Sequence, residues 1–345
     1  MGQRQSRQTI SLTVPVNASY TLHNNTRHAS DSSAPRRVFL CSYHLMPFTK
    51  PAIDIDAQIA LLRSRGVVIT DDARARHYLR FIGYYRLSGY ALVFQVNYNA
   101  DGSHRFHPGA NFDDILDLYI FDRKLRLAVL DALERIEVAV RASLSHEMSM
   151  IHGTHWFMDG THFVPNYDHA GFLEHVKKEI GHDATRAHAR QVFIQHYYDK
   201  YGDPELPPSW MVFEVLSFGT ASQVFKKLKR ENQKPIAKVF GTDSGVLASW
   251  LHAISYLRNL VAHHQRLWNR SFTIKPIPAK RYADDLKDPS RFYAQAVIIQ
   301  ALLKTIAPDS QWSQRLAQLM AEHPKVPSHR MGFPADWKTR GIWLP

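Results

Sequence analysis

Apolar residues recur at three- and four-residue intervals through most of this chain, and almost nowhere alternate with polar ones as a half-buried strand requires. The clearest stretch runs from 112 to about 150, where Leu118, Leu125, Val129, Leu133, Ile136, Val140 and Leu144 form one stripe. At ~1.5 Å per residue such a helix reaches nearly 60 Å. Asp122 with Arg126 and Glu137 with Arg141 add i,i+4 pairs along it. A second stripe, Trp250, Ile254, Leu257, Val261 and Trp268, predicts a helix over 249–270. Asp243 or Ser244 can cap its start, and Pro276 and Pro278 bar its extension. Its Trp250, Leu257 and Val261 are expected to pack on the 112–150 helix. Shorter helices are predicted over 53–62, 71–81, 170–180, 190–201, 221–228, 235–240, 291–306 and 310–322, with Thr70 or Asp71 capping the second. Val67, Val68 and Ile69 read as an extended patch, and 99–109 as a loop. No internal repeat is visible. The fold class is all-α, with an N-terminal helical region over 46–110, a helical domain over 111–322 and an irregular segment over 323–345.

Composition changes this picture in three ways. The 345 residues suffice for one large or two small cores, and 45% apolar content is ordinary for a globular protein. The net charge of +12 and a pI near 9.7 point to a polyanionic partner, although many globular proteins are basic without one. Five arginines and one aspartate fall in the first 45 residues, which are polar, lack a helical period and read as a disordered basic tail. Met46 is an alternative start. The single cysteine, Cys41, excludes an internal disulfide and a cysteine zinc finger, and fits a reducing cytosol. With no apolar run of ~18 to 20 residues and no signal-peptide core, a cytoplasmic location without membrane contact is expected.

Candidate chemistry gathers in Arg258-Asn259-Leu260-Val261-Ala262-His263-His264-Gln265. On a helix, Asn259 and His263 stand one turn apart on one face, with Arg258 beside them. A guanidinium can grip a phosphate while an imidazole moves a proton, which is the minimum kit for cutting RNA without a metal. The same face carries His252, Ser255, Tyr256, Arg266 and Arg270 and no acid. Arg and His at this spacing also occur by chance, as at Arg141 and His146 or Arg190 and His196. Arg141 and His146 form a possible second phosphate-gripping pair, but Glu137 can neutralise Arg141. His146, His152, His155 and His162 invite a metal reading, yet none forms a His-Glu-x-x-His pattern, so solvent-facing or structural roles are expected. His264 should point to the apolar stripe and be buried, with a role in substrate positioning left open. Tyr84, Tyr85, Arg86 and Tyr90 could stack single-stranded bases, though packing is the commoner use of such tyrosines. Glu214 could orient Arg258 or His263, or simply cap a helix.

Arg-Asn-x-x-Ala-His-His-x-Arg-Leu-Trp-Asn-Arg over 258–270 resembles the signature of the Abi-like proteins, of the AbiD/AbiF abortive-infection (phage resistance) type, within the HEPN superfamily. Three more segments are similar to that family in the same order. They are Leu79 to Tyr90 with its Tyr-Tyr-Arg-Leu core, Asp122 to Arg126 continuing through Glu134 to Arg141, and Glu214-Val215-Leu216-Ser217-Phe218-Gly219. The resemblance spans about residues 46 to 305. It implies a HEPN-like helical bundle with an N-terminal helical extension, and an Arg-x4-6-His ribonuclease site that needs neither metal nor cofactor. It further implies Arg258, Asn259 and His263 as catalytic residues, RNA as partner, and a homodimer in which two sites share a cleft. His264, Arg266, Arg270, Glu214, Arg141 and His146 would then support catalysis or bind RNA. A non-catalytic RNA-binding or RNA-sensing module, or the HEPN half of a toxin–antitoxin pair, remains an alternative.

Overall fold

The computed structural model describes residues 51–96 and 104–344, so the expectations for the first 45 residues, Met46 and Cys41 lie outside the described residues. Twelve α-helices and no strand occur among the described residues, as an all-α fold requires. Isolated bridges join Val68 to Asn111, Gln95 to Phe106 and Phe163 to Leu228. Among the described residues no helix is long and apolar enough to cross a membrane. The chain divides into two compact units, one ending at Leu116 and the other beginning at Asp117.

The N-terminal unit holds α1 (Ile55–Ser64), α2 (Asp72–Ile82) and α3 (Tyr84–Ala91). Asp54 and Asp71 start the first two, accepting from Ala57 N at 2.7 Å and Arg74 N at 2.9 Å. Gly83 separates α2 from α3 at φ 90°, a left-handed conformation that suits glycine. Ile59, Leu62, Ala75, Leu79, Leu87 and Tyr90 are buried. Tyr90 thus packs, whereas Tyr85 is open to solvent and Tyr84 accepts a hydrogen bond from Arg65 at 3.0 Å. The extended patch is real but short: Val68 bonds Ala110 and Phe112 through its backbone.

Helix α4 (Phe112–His152) runs from the end of the first unit through the second, 41 residues long. Its stripe is buried from Phe121 through Leu125, Val129, Leu133, Ile136, Val140 and Leu144 to Met148. There follow α5 (His169–Glu179), α6 (Val192–Lys200), α7 (Ser209–Val215), α8 (Phe218–Lys227), α9 (Arg230–Val239), α10 (Ser244–Ala262), α11 (Phe292–Ile306) and α12 (Trp312–Glu322). Helix α11 is buried on all sides from Phe292 to Leu303, so it forms the middle of this unit. Helix α7 follows the loop that Pro204, Pro207 and Pro208 mark and was not among the predicted helices, and α9 begins five residues before Pro235, where a helix start was expected.

The bounds expected for α10 change. The helix begins at Ser244, capped by Asp243, and stops at Ala262 instead of reaching 270, so Trp268, Arg266 and Arg270 are not helical. Its most extensive backbone approaches are to α8, α9 and α11. Helix α4 meets this region through side chains, described below. The segment after Pro324 holds two short 3-10 turns, Ser328–Met331 and Trp337–Thr339, and is packed: Phe333, Trp337 and Trp343 are buried, and Trp343 donates to Tyr293 Oη at 3.2 Å.

Candidate active site

The end of α10 explains the placement of both histidines. His263 is the last half-helical residue, with its N–H on the Asn259 carbonyl at 3.0 Å. His264 turns left-handed at φ 55° and bonds Val261 O, and Gln265 N closes back on Leu260 O, both at 2.9 Å. This is a Schellman closure with a histidine where glycine is usual. It stops the helix one residue before His263 and exposes Asn259, His263 and His264 together. The burial expected of His264 is therefore corrected: its backbone leaves the helix before the side chain can join the apolar stripe.

The loop that follows is fixed from α4. Asp122, fully buried, accepts from Leu267 N at 3.0 Å and Trp268 N at 2.7 Å and pairs with buried Arg126. Leu267 and Trp268 are buried behind it. Arg270 folds back, donating to Arg266 O at 2.7 Å and to Gln265 Oε1 at 2.9 Å. Both arginines, placed by sequence on the polar face of a helix, are instead part of this turn.

Arg258 does not stand on an acid-free surface. Glu137 of α4, largely buried, lies with Oε2 3.6 Å from Arg258 Nε and pairs through Oε1 with Arg141. Arg141 also donates to the Leu216 carbonyl at 2.7 Å, in the turn between α7 and α8. Two guanidiniums therefore share one carboxylate, leaving a surplus positive charge. The Arg258 side chain is 39% exposed, so its outer nitrogens reach solvent while Nε is held from behind. An anion arriving there would meet an oriented planar donor.

The structure brings Arg258, Arg141, Asn259 and His263 to this part of the unit, by helix register and by Glu137. His264 stands beside His263 at the same helix end, and Arg266 and Arg270 belong to the turn that follows. Glu214 is exposed on α7 and, among the described residues, pairs with neither Arg258 nor another cation. His146 is exposed on α4. His152 stacks on His162 with ring centroids 3.9 Å apart and bonds Asn232 Oδ1 at 2.8 Å, while His155 bonds Thr154. Burial, then the neighbouring His152, pushes His162 below its ordinary pKa. Among the described residues no three ligating side chains stand together to hold a metal. Sequence reasoning missed Glu137 as the acid behind Arg258 and Asp122 as the anchor of the loop. The second carried a signal: Asp122 falls in register between Leu118 and Leu125, on the apolar stripe.

Asp122, Glu137, Arg141, Leu216, Arg258 and Trp268 thus tie together segments far apart in the chain, and the profile of the Abi-like protein family spans them all, matching residues 77–269. The chain belongs to that family. Membership supports a part in abortive-infection phage resistance. No curated protein and no solved structure matches the chain.

Proposed function

We propose that this Abi-like protein is a metal-independent, HEPN-type endoribonuclease acting in phage defence. The observation that carries the reading is the exposed end of α10, where His263 follows Arg258 by five residues and Glu137 orients the arginine. In the reaction, the RNA 2′-oxygen bonds to the adjacent phosphorus, the bond from phosphorus to the 5′-oxygen breaks, and a cyclic 2′,3′-phosphate remains. One base takes the 2′-hydroxyl proton and one acid returns a proton to the 5′-oxygen. His263 supplies one of these, a contribution of about 10²–10⁴-fold. Arg258 offsets charge on the phosphoryl oxygens, and Asn259 sits one turn before His263 to contact the scissile region. Arg141 positions Arg258 through Glu137.

One imidazole does not conveniently fill both proton roles, so a second copy of the chain is expected to bring its own His263 to the cleft. Leu127, Leu130 and Val138, 53%, 40% and 54% exposed, support this. They lie along the open side of α4, and Leu130 shares a face with Glu137 and Arg141 seven and eleven residues later.

Purified protein incubated with RNA in EDTA tests the chemistry. Cleavage with cyclic phosphate ends is expected. His263→Ala should abolish it, and Arg258→Ala should weaken both cleavage and binding, with normal folding in each case. Wild-type cleavage by His263→Ala, or loss of cleavage on adding EDTA, would leave RNA binding without turnover as the better reading.

A further inference from the structure

Away from His263, the corner between α8 and α9 differs in charge from the rest of the surface. Lys226, Lys227, Lys229, Arg230, Lys234 and Lys238 lie within 13 residues that hold one acid, Glu231. Among the described residues none of the six cations forms an ion pair. Elsewhere Arg74, Arg126, Arg315 and Arg340 each carry a carboxylate. Four-residue spacing puts Arg230, Lys234 and Lys238 on one face of α9, where they line a cleft of about 310 Å³ against the start of α10. The corner is held in place by Gln233, whose Nε2 donates to the carbonyls of Phe225, Lys226 and Leu228 at 3.0, 3.1 and 3.0 Å. Unpaired cations on a fixed frame are costly in self-repulsion and are relieved by a polyanion. Asp243, at the start of α10, is the one acid lining the cleft; its carboxylate is engaged in capping, accepting from Gly245 and Val246, and leaves the three cations in excess.

The cleft connects to the candidate active site along α10. His252, Tyr256, Asn259 and His263 are spaced by four, three and four residues, which is one face of a helix. Lys226 stands beside the first of them: after burial, its charge is what lowers the His252 pKa. The strip therefore runs from α9 past Lys226 and His252 to His263, over roughly 28 Å at ~1.5 Å per residue.

We infer that the Arg230, Lys234 and Lys238 face of α9 is a distal phosphate-binding site for single-stranded RNA. It holds the portion of the strand lying beyond the scissile bond, while the intervening nucleotides follow the His252–Tyr256–Asn259 face. This rests on the ribonuclease reading for the identity of the strand and adds a requirement for length. A trinucleotide engages one end of the strip only, and a strand of about twenty nucleotides engages both.

The test measures equilibrium binding in a His263→Ala background, where cleavage cannot interfere. Combined Arg230→Ala, Lys234→Ala and Lys238→Ala should weaken binding of the long strand about tenfold or more at 0.1 M salt and flatten its salt slope by about 2. Trinucleotide binding should stay unchanged, and so should the melting temperature, since all three side chains are exposed. Glu231→Lys should tighten the long strand. A control triple variant of exposed cations, Lys178→Ala, Arg186→Ala and Lys200→Ala, removes the same charge elsewhere. Equal weakening by the control, or equal weakening of the trinucleotide, would overturn the distal site. If the α9 variant loses the long strand but the wild-type chain cleaves no RNA, the site stands and the catalytic reading falls.

Discussion

A single residue decides how the two histidines are shown to solvent. His264 adopts φ 55°, and for a side chain with a Cβ this conformation costs about 1 kcal/mol or slightly more. Glycine or asparagine ordinarily takes such a position. His264→Gly should therefore hold or raise stability, by up to about 1 kcal/mol, once the greater freedom of glycine in the unfolded chain is set against the relieved strain. Chemical denaturation measures it. A fall of more than about 1 kcal/mol would mean that the imidazole itself holds the turn. Were the variant stable but slower on RNA, the strain would be the cost of keeping an imidazole beside His263.

At the scale of elements, α4 organises the site through Glu137 and Asp122. Asp122 satisfies two loop amides and Arg126 at once. Asp122→Ala strands a buried guanidinium, 5% exposed, together with both N–H groups, and should destabilise the fold by about 3–5 kcal/mol. Urea unfolding with a loss below about 1 kcal/mol would contradict this. The stripe on α4 and the aspartate caps of α2 and α10 were legible in the sequence, because periodicity and capping are local rules. The stop after Ala262 was not, because His264 carries none of the usual marks of a helix end. Nor was the partner of Arg258, since Glu137 reaches it only through packing across more than a hundred residues of chain. Helix α7 went unseen for a third reason: seven residues after a proline cluster are too few to show a period.

For the whole molecule, assembly is the property that the proposed chemistry most requires. If two copies meet across the open side of α4, placing a charge among Leu127, Leu130 and Val138 should separate them. Leu130→Glu is expected to give monomers by light scattering at micromolar concentration, with an unchanged helical spectrum and lost cleavage. A fully active monomer, in the variant or in the wild type, would remove the shared cleft from the mechanism. The chain's basic character also takes a definite form at this scale. Among the described residues about half of the arginines outside the α8–α9 corner pair with carboxylates of the same unit, whereas no cation of the corner does, so the corner carries part of the surplus that a polyanion would feel.

Buried Asp122 has one more consequence, visible in isotope labelling. Loop amides commonly trade their hydrogens with solvent through small openings, whereas those in a core wait for the fold itself to open. Leu267 and Trp268 lie in a loop, yet their amides end on a carboxylate that is fully shielded within α4. In deuterated water these two positions should exchange as slowly as the middle of the long helix, while His264 and Gln265, a few residues earlier, exchange far sooner. The chain would then keep its slowest clock and its faster one within five residues, and the reacting end of α10 would sit on the boundary between them.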